Sequence, residues 1–402
     1  MSSPTGPLEG IRVLDLGQIY AGGYAGFLLA TAGADVIKVE PPDGENLRRR
    51  GKVGGGAYYP FAMLNGNKRS IRVDLKTEAG AEVFRDLVRN SDVVFENFAP
   101  GVMDRLGLGY DDLREINPRL VYGSVSGYGR SGPYTSYPAM DLTVQAMVGV
   151  MSTTGFPDSP PVKAGPAICD FMAGVHLVSA ISMALVARAR TGVGQRVEVT
   201  MQEATYPTLA SSLGLVMTPN RTANMTYRSG NRHGGYSESP YNVYKAADGY
   251  VAILCVTDQH WVSLGTLVGG EALATDERYR ELKDRAARND ELDVLIAAWA
   301  LAQDRQTIVD QLLAVRVPCA PVRELPEVVE DPNMWARGML RTLDHPVHGP
   351  ITVNHSPLLF GDGERADLNP SPGLGEHTDA VLTDILGYSE QAIADLKGQE
   401  VI

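Results

Sequence analysis

Asp170 stands in the run Ala167-Ile168-Cys169-Asp170-Phe171-Met172-Ala173-Gly174, at the head of a strongly apolar segment. An aspartate in that place ordinarily caps a helix. The same placement suits chemistry. Small Ala173 and Gly174 admit a ligand, and first-turn N–H groups stabilise a carboxylate or an oxyanion. A carboxylate held there is expected to stay ionised at neutral pH and to be able to act as a nucleophile.

Other patterns are weaker. Gly127-Tyr128-Gly129-Arg130-Ser131-Gly132 matches G-x-G-x-x-G, but a dinucleotide site needs a helix start beneath the pyrophosphate. Pro133 and Pro138 leave no room for one, so the run reads as a turn. His345, His348 and His355 lie close together, yet Pro346 and Pro350 break any helix that would aim two of them at one ion, and no metal site is expected. Nucleophile-elbow, metalloprotease and P-loop motifs are missing from the sequence. Lys38, Lys68, Arg69, Arg72, Lys76 and Arg105 recur early, several of them at strand ends. Singly each reads as solvated surface. Gathered at one sheet edge they would hold a phosphate-bearing ligand. The run Gly230 to Ser237 reads either as an ordinary loop or as a mobile flap.

The elements that must position these residues follow from hydrophobic runs. Residues 11–16 and 36–39 read as strands around a small-residue helix over 21–34, a βαβ unit that favours parallel sheet. The pattern repeats. Strands are expected at 70–75, 92–95, 120–126 and 196–200, a helix at 78–90, and a long helix beyond Asp170. The whole predicts a doubly wound, Rossmann-like α/β domain, whose ligands bind in the loops after the strands. Those loops are 17–23, 40–50, 96–105 and 127–141. The apolar stretch 171–187 contains His176 and small residues, and reads as a buried helix rather than a membrane span. Beyond about residue 210 the texture changes. The segment 219–240 is loop-like, a strand is expected at 250–256, and helices near 290–314 complete a smaller α+β unit. A last helix follows Leu374-Gly375-Glu376-His377-Thr378.

The chain has 402 residues and a formal net charge of −12. At about 150 residues per domain that length predicts two to three domains. The acidic balance argues against nucleic acid and anionic membranes as partners, though not against one anionic ligand in a local basic pocket. The three cysteines (Cys169, Cys255 and Cys319) are far apart. An odd, low count gives no disulfide framework and places the chain by default in a reducing cytoplasm. The start shows no signal-peptide pattern.

Taken together, these segments resemble the family III CoA-transferases, the group of formyl-CoA and carnitine CoA-transferases. The pieces stand in family order: GIRVLDL, AGGYAG and GADVIKVEPP; NKRSIRVDLK; VFENFAPGVMDRLGLGY; GYGRSGPY; PAMDLTVQAM; AICDFMAG; TGVGQRVEVTM; VPCAPV; LGEHT. The resemblance implies that Asp170 is the catalytic aspartate and Asp141 a second active-site carboxylate. It implies that coenzyme A, as co-substrate rather than bound cofactor, meets Tyr20, Ala21, Val73, Leu75, Lys76, Asn97, Phe98, Ala99, Arg105 and Met140. Gly234 and Gly235 fall where the family carries a glycine flap, although this chain has only two consecutive glycines there. The first loop reads Ala21-Gly22-Gly23 where the family often has AGP, and Gln18 precedes it. Related racemases place a base histidine where this chain has Met140, which cannot accept a proton, so transfer is favoured over racemisation. The implied reaction passes CoA from an acyl-CoA donor to a carboxylic acid through aspartyl anhydride and aspartyl-CoA thioester intermediates at Asp170. The implied assembly is an interlocked homodimer, with residues 1–210 and 335–402 in a large CoA-binding domain and 211–334 in a small one.

Overall fold

The computed structural model describes all residues except 1–5, 52, 54, 57, 219–225 and 362–364. The chain divides into two compact units. The first comprises 1–144, 166–205 and 331–402, and the second 145–165 and 206–330.

The first unit opens with β1 (Arg12–Leu16), α1 (Ala21–Thr31), β2 (Asp35–Glu40), α2 (Asn46–Gly51), α3 (Tyr59–Leu64), β3 (Arg69–Arg72) and α4 (Glu78–Arg89). It continues with β4 (Val93–Glu96), α5 (Val102–Arg105), α6 (Tyr110–Ile116), β5 (Val121–Ser126) and α7 (Asp141–Val148). The short α8 (Val150–Thr153) lies in the second unit, and the chain returns with α9 (Ile168–Thr191) and β6 (Arg196–Thr200). Among the described residues the strands form one parallel six-stranded sheet in the order β3-β2-β1-β4-β5-β6. This is the doubly wound order, whose switch point lies between β1 and β4. The inner strands β1, β2 and β4 are near-continuous buried runs rich in Val, Ile and Leu, as a sheet covered on both faces requires.

Local chemistry sets the helices. Thr77 caps α4 by accepting from the Gly80 N–H at 3.0 Å, and the helix then buries Ala81, Val83, Phe84, Leu87 and Val88. Helix α9 packs along α1 and beside β5 and β6. Its close approach to α1 needs Gly174, where a Cβ would come 2.8 Å from the Ala21 carbonyl oxygen. By length and composition α9 is the one described helix apolar enough to cross a membrane. It differs from the expected buried helix. One face is buried through Ala173, Leu177, Ile181 and Ala184, while Val175, Met183 and Val186 on another are exposed.

The C-terminal tail belongs to the first unit because it docks on β3. The His377 N–H donates to the Ser70 carbonyl at 2.9 Å, and the Asp74 N–H to the Val401 carbonyl at 2.8 Å. Strands β10 (Leu340–His345) and β11 (Gly349–Asn354) form a hairpin in the same unit.

The second unit holds an antiparallel sheet ordered β7 (Tyr241–Ala246), β8 (Gly249–Leu254), β9 (Cys319–Pro321). Its core joins Ile253, Trp261, Leu264, Ile296 and Ile308. The segment 145–165, expected in the large domain, groups with this unit instead. The reason is hydrogen bonding to a segment distant in sequence: the Gly230 N–H donates to the Gly155 carbonyl at 3.1 Å, and the Arg228 guanidinium donates to the carbonyls of Phe156 and Pro157. Of the expected loop 219–240, residues 219–225 lie outside the described residues, and 226–240 contain neither helix nor strand.

Candidate active site

The loops after β1, β4 and β5 converge on a cavity of about 520 Å³. It brings together Ala21, Asn97, Phe98, Ala99, Met140 and Asp170. A second cavity of about 450 Å³ opens over β1, β2 and β3 and holds Val73, Leu75 and Lys76. Gln18 and Phe98 line both, so the two straddle the switch point of the sheet.

The loop between β1 and α1 is held from several sides. Asn97 clamps the backbone of Gln18, its Oδ1 accepting from the Gln18 N–H at 2.7 Å and its Nδ2 donating to the Gln18 carbonyl at 3.0 Å. Lys38 Nζ donates to the Gly17 carbonyl at 2.7 Å, and Asp15 Oδ1 accepts from the Gly17 N–H at 2.7 Å. Glu45 Oε2 accepts from the Ile19 N–H at 3.4 Å. These anchors hold Ile19 at φ 57°, a left-handed conformation costly for a β-branched residue. Gly22 answers a similar constraint, since a Cβ there would lie 2.4 Å from the Gly17 Cα.

Asp170 is not the cap of α9. It sits in the first turn, and the cap position is Ala167, which has no side-chain acceptor. The capping is done from α7. Asp141 Oδ1 accepts from the Cys169 N–H at 2.8 Å and from the Asp170 N–H at 3.4 Å. Those donors are therefore spent on Asp141. Among the described residues no hydrogen-bond donor reaches the Asp170 carboxylate, which is half-buried and faces the cavity. Burial first, and the negative charge of Asp141 second, push its carboxyl up to about 7, against the pull of Arg50. This corrects the expectation of a carboxylate kept ionised by the helix start. Cys169 beside it is buried, and burial raises its thiol to about 11, too high for a thiolate nucleophile at neutral pH.

Other expected residues stand apart. Tyr20 is absent from the lining of both cavities, and its ring stacks on Phe171 at 6.0 Å between centroids. Arg105 is exposed at the end of α5, outside both linings. Gly234 and Gly235 lie in the second unit against Ser211 and Ser212, with the Gly235 N–H donating to His233 Nδ1 at 3.2 Å. The early basic residues do not gather as one patch. Lys38 and Lys68 are buried, Arg69 pairs with Asp35, and Arg72 donates to the Ile402 carbonyl, leaving Lys76 on a cavity wall. No helix begins within 127–140, the stretch after the G-x-G-x-x-G match. His345 and His348 meet at 4.6 Å between rings, whereas His355 bonds to the Ala366 carbonyl.

The sequence profile of CoA-transferase family III matches residues 8–378. The chain belongs to CoA-transferase family III. Formyl-CoA:oxalate CoA-transferase of Streptomyces coelicolor is 39% identical, covering 98% of this chain and 99% of its own length. Succinate–glutarate CoA-transferase of Agrobacterium fabrum is 37% identical over 94% of this chain and 96% of its own. A CAIB/BAIF family protein from Brucella suis has a solved structure with a TM-score of 0.80 and 36% identity, covering 95% of this chain and all of that one. As a family III CoA-transferase the enzyme uses CoA as a co-substrate, and the Streptomyces and Agrobacterium relatives are named for transfer involving oxalate, succinate and glutarate.

The residues not foreseen are Asn46, Ser126, Thr135 and Tyr137, which add polar groups to the Asp170 cavity, and Arg49 on the second cavity. Their signal was positional. Each lies in, or within a residue of, the loops after the strands of a doubly wound sheet.

Proposed function

We propose that this family III enzyme moves CoA from an acyl-CoA donor to a small carboxylic acid through covalent states on Asp170. The observation behind this reading is the Asp170 carboxylate: half-buried, reached by no donor among the described residues, and facing a cavity beside the one that holds Val73, Leu75 and Lys76. In the reading, the adenine and phosphates of CoA rest near Val73, Leu75 and Lys76, with Arg105 and the newly seen Arg49 as further basic contacts. The pantetheine arm passes Gln18, Asn97, Phe98 and Ala99 toward Asp170. Tyr20, Ala21 and Met140 shape the thioester end.

Asp170 attacks the thioester carbonyl, the C–S bond breaks, and an acyl-aspartyl anhydride and CoA thiolate form. The thiolate attacks the aspartyl carbonyl of the anhydride and releases the donor acid, leaving aspartyl-CoA thioester. The acceptor carboxylate attacks that thioester and expels the thiolate again. The thiolate then takes the acceptor acyl group and frees Asp170. Each state stays about as activated as a thioester, so water is the hazard, and the Gly234-Gly235 loop is assigned to exclude it. Asp141 acts by holding the start of α9. With its N–H groups spent on Asp141, the first turn of α1 at Ala21 is the alternative source of oxyanion donors.

Met140 on the cavity wall supplies no second base, which supports transfer over racemisation. The exposed Val175, Met183 and Val186 of α9 support a homodimer, to be checked by light scattering after size exclusion. Free cysteines fit a cytoplasmic enzyme.

The test is label exchange between a free acid and its CoA ester, followed by hydroxylamine trapping and mass spectrometry. Exchange with modification at Asp170 is expected. Tight CoA binding without exchange would mark a binding protein instead.

A further inference from the structure

We propose that Arg50 selects acceptors that carry a second carboxylate, by pairing with the carboxylate that does not react. This rests on the reading of the Asp170 cavity as the site of CoA transfer.

Three arginines end α2: Arg48, Arg49 and Arg50. Two are engaged. Arg48 grips Glu40 with bonds of 2.7 and 2.9 Å and lies over the Phe61 ring, and Arg49 donates to Asn46 Oδ1. Arg50 is exposed and makes no side-chain hydrogen bond or ion pair among the described residues. It lies outside the lining of both cavities, on a helix that reaches the site. Asn46 lines the Asp170 cavity and donates to Gln18 Oε1 at 2.7 Å, and Arg50, four residues on, shares that helix face. Its positive charge is felt at the Asp170 carboxyl.

The cavity needs such a cation. Among the described residues its lining includes the Asp170 carboxylate and no lysine or arginine. A mono-acid enters with one negative charge, which it loses when its carboxylate becomes part of an anhydride. A di-acid keeps its second charge through every step. An unreacting carboxylate beside Asp170 and Asp141 is repelled unless a guanidinium receives it, and Arg offers a two-pronged match. An interaction equal in every state binds substrate and transition state alike, so it acts on KM rather than kcat.

The experiment compares succinate with butyrate, which share a four-carbon chain and differ by one carboxylate, in the native enzyme and in Arg50→Gln and Arg50→Lys. The expected result is a fall of roughly ten- to hundredfold in the succinate-over-butyrate ratio of kcat/KM for Arg50→Gln, carried by KM, with partial recovery in Arg50→Lys. An unchanged ratio, or equal losses for both acids, overturns the assignment. Calorimetric binding of succinate to CoA-saturated protein gives a reading independent of turnover. Weakening of tenfold or more in Arg50→Gln supports the contact, and unchanged affinity overturns it. Absence of any exchange in the native enzyme sinks the CoA-transfer reading, and the calorimetric result still decides Arg50.

Discussion

Two groups of charges stand at the same edge of the parallel sheet, and they are built on opposite principles. The first joins Asp15, Glu40 and Glu45 with Lys38, Arg48 and Lys68, three carboxylates and three cations. Lys68 Nζ meets Asp15 at 2.8 Å with both side chains fully buried, and also donates to Asn65 Oδ1 and the Gly23 carbonyl. Glu40 receives Arg48 and the Ser70 hydroxyl. Burial drives the Lys68 ammonium down to about 8, against the pull of Asp15. Glu40 falls below its usual range although burial opposes it, because Arg48 and Lys38 outweigh the desolvation. The second group is Asp141 and Asp170, with exposed Arg50 as the cation that acts on the Asp170 carboxyl. In this unbalanced pair burial and the Asp141 charge outweigh Arg50, and Asp170 rises rather than falls. Balanced charge fixes the loops of this site, and unbalanced charge stands at the carboxylate that the proposed transfer uses.

The contrast breaks first at Asp170. Asp170→Ala is expected to lower label exchange by about 10⁴-fold or more while circular dichroism stays native. Exchange near the native rate would show that the unbalanced pair is structural. In the balanced group the expected loss is of stability. Lys68→Met leaves Asp15 buried and uncompensated, at a cost of about 3–5 kcal/mol, read as a lower urea midpoint. Adding Asp15→Asn to Lys68→Met is expected to recover part of that loss. A single variant with an unchanged midpoint would remove the distinction between the two groups.

The sheet was legible because its strands are short and β-rich, and β1, β2, β4 and β5 are buried on both faces. The expected 196–200 coincides with β6, and 11–16 with β1 to within a residue. The cavity was legible as a set of loops, since the doubly wound order puts them together. What escaped the sequence depends on distant partners. Asp141 caps α9 from 28 positions away in sequence, so the local pattern around Asp170 mimicked a self-cap. Arg48, Arg49 and Arg50 are identical in type, and only the fold engages two and leaves one. The grouping of 145–165 with the second unit rests on hydrogen bonds from the Gly230 backbone and the Arg228 guanidinium, which no local signal announces. The exposed face of α9 was hidden because the helix is apolar nearly all round.

Asp141→Asn sharpens the comparison at smaller scale. The side-chain carbonyl still accepts from the Cys169 N–H, but the negative charge is gone. The Asp170 carboxyl then falls toward its usual range, so the acid limb of kcat/KM for the donor moves to lower pH. With the native group near 7, about half of Asp170 is ionised at neutral pH. The gain in reactive carboxylate at that pH is thus at most about twofold. An unmoved acid limb would show that Asp141 acts on α9 alone.

The smallest effect is one of stability against pH, and its sign separates the two groups. The Asp170 carboxyl titrates near 7 in the folded chain and near 3.8 as an ordinary aspartate. Between those values the folded state binds more protons than the unfolded one, so this group makes stability fall as pH rises through the window. Below about 4 both states are protonated and the penalty vanishes; above 7 it is complete. Asp170→Asn removes it. The variant is therefore expected to melt above the native protein at pH 8. The margin should shrink steadily toward pH 5. Glu96, which burial also raises to about 7, is present in both proteins and cancels in the difference. A margin that stays flat from pH 5 to pH 8 would mean that Asp170 is solvated well enough to titrate normally, and the unbalanced pair would lose its physical basis.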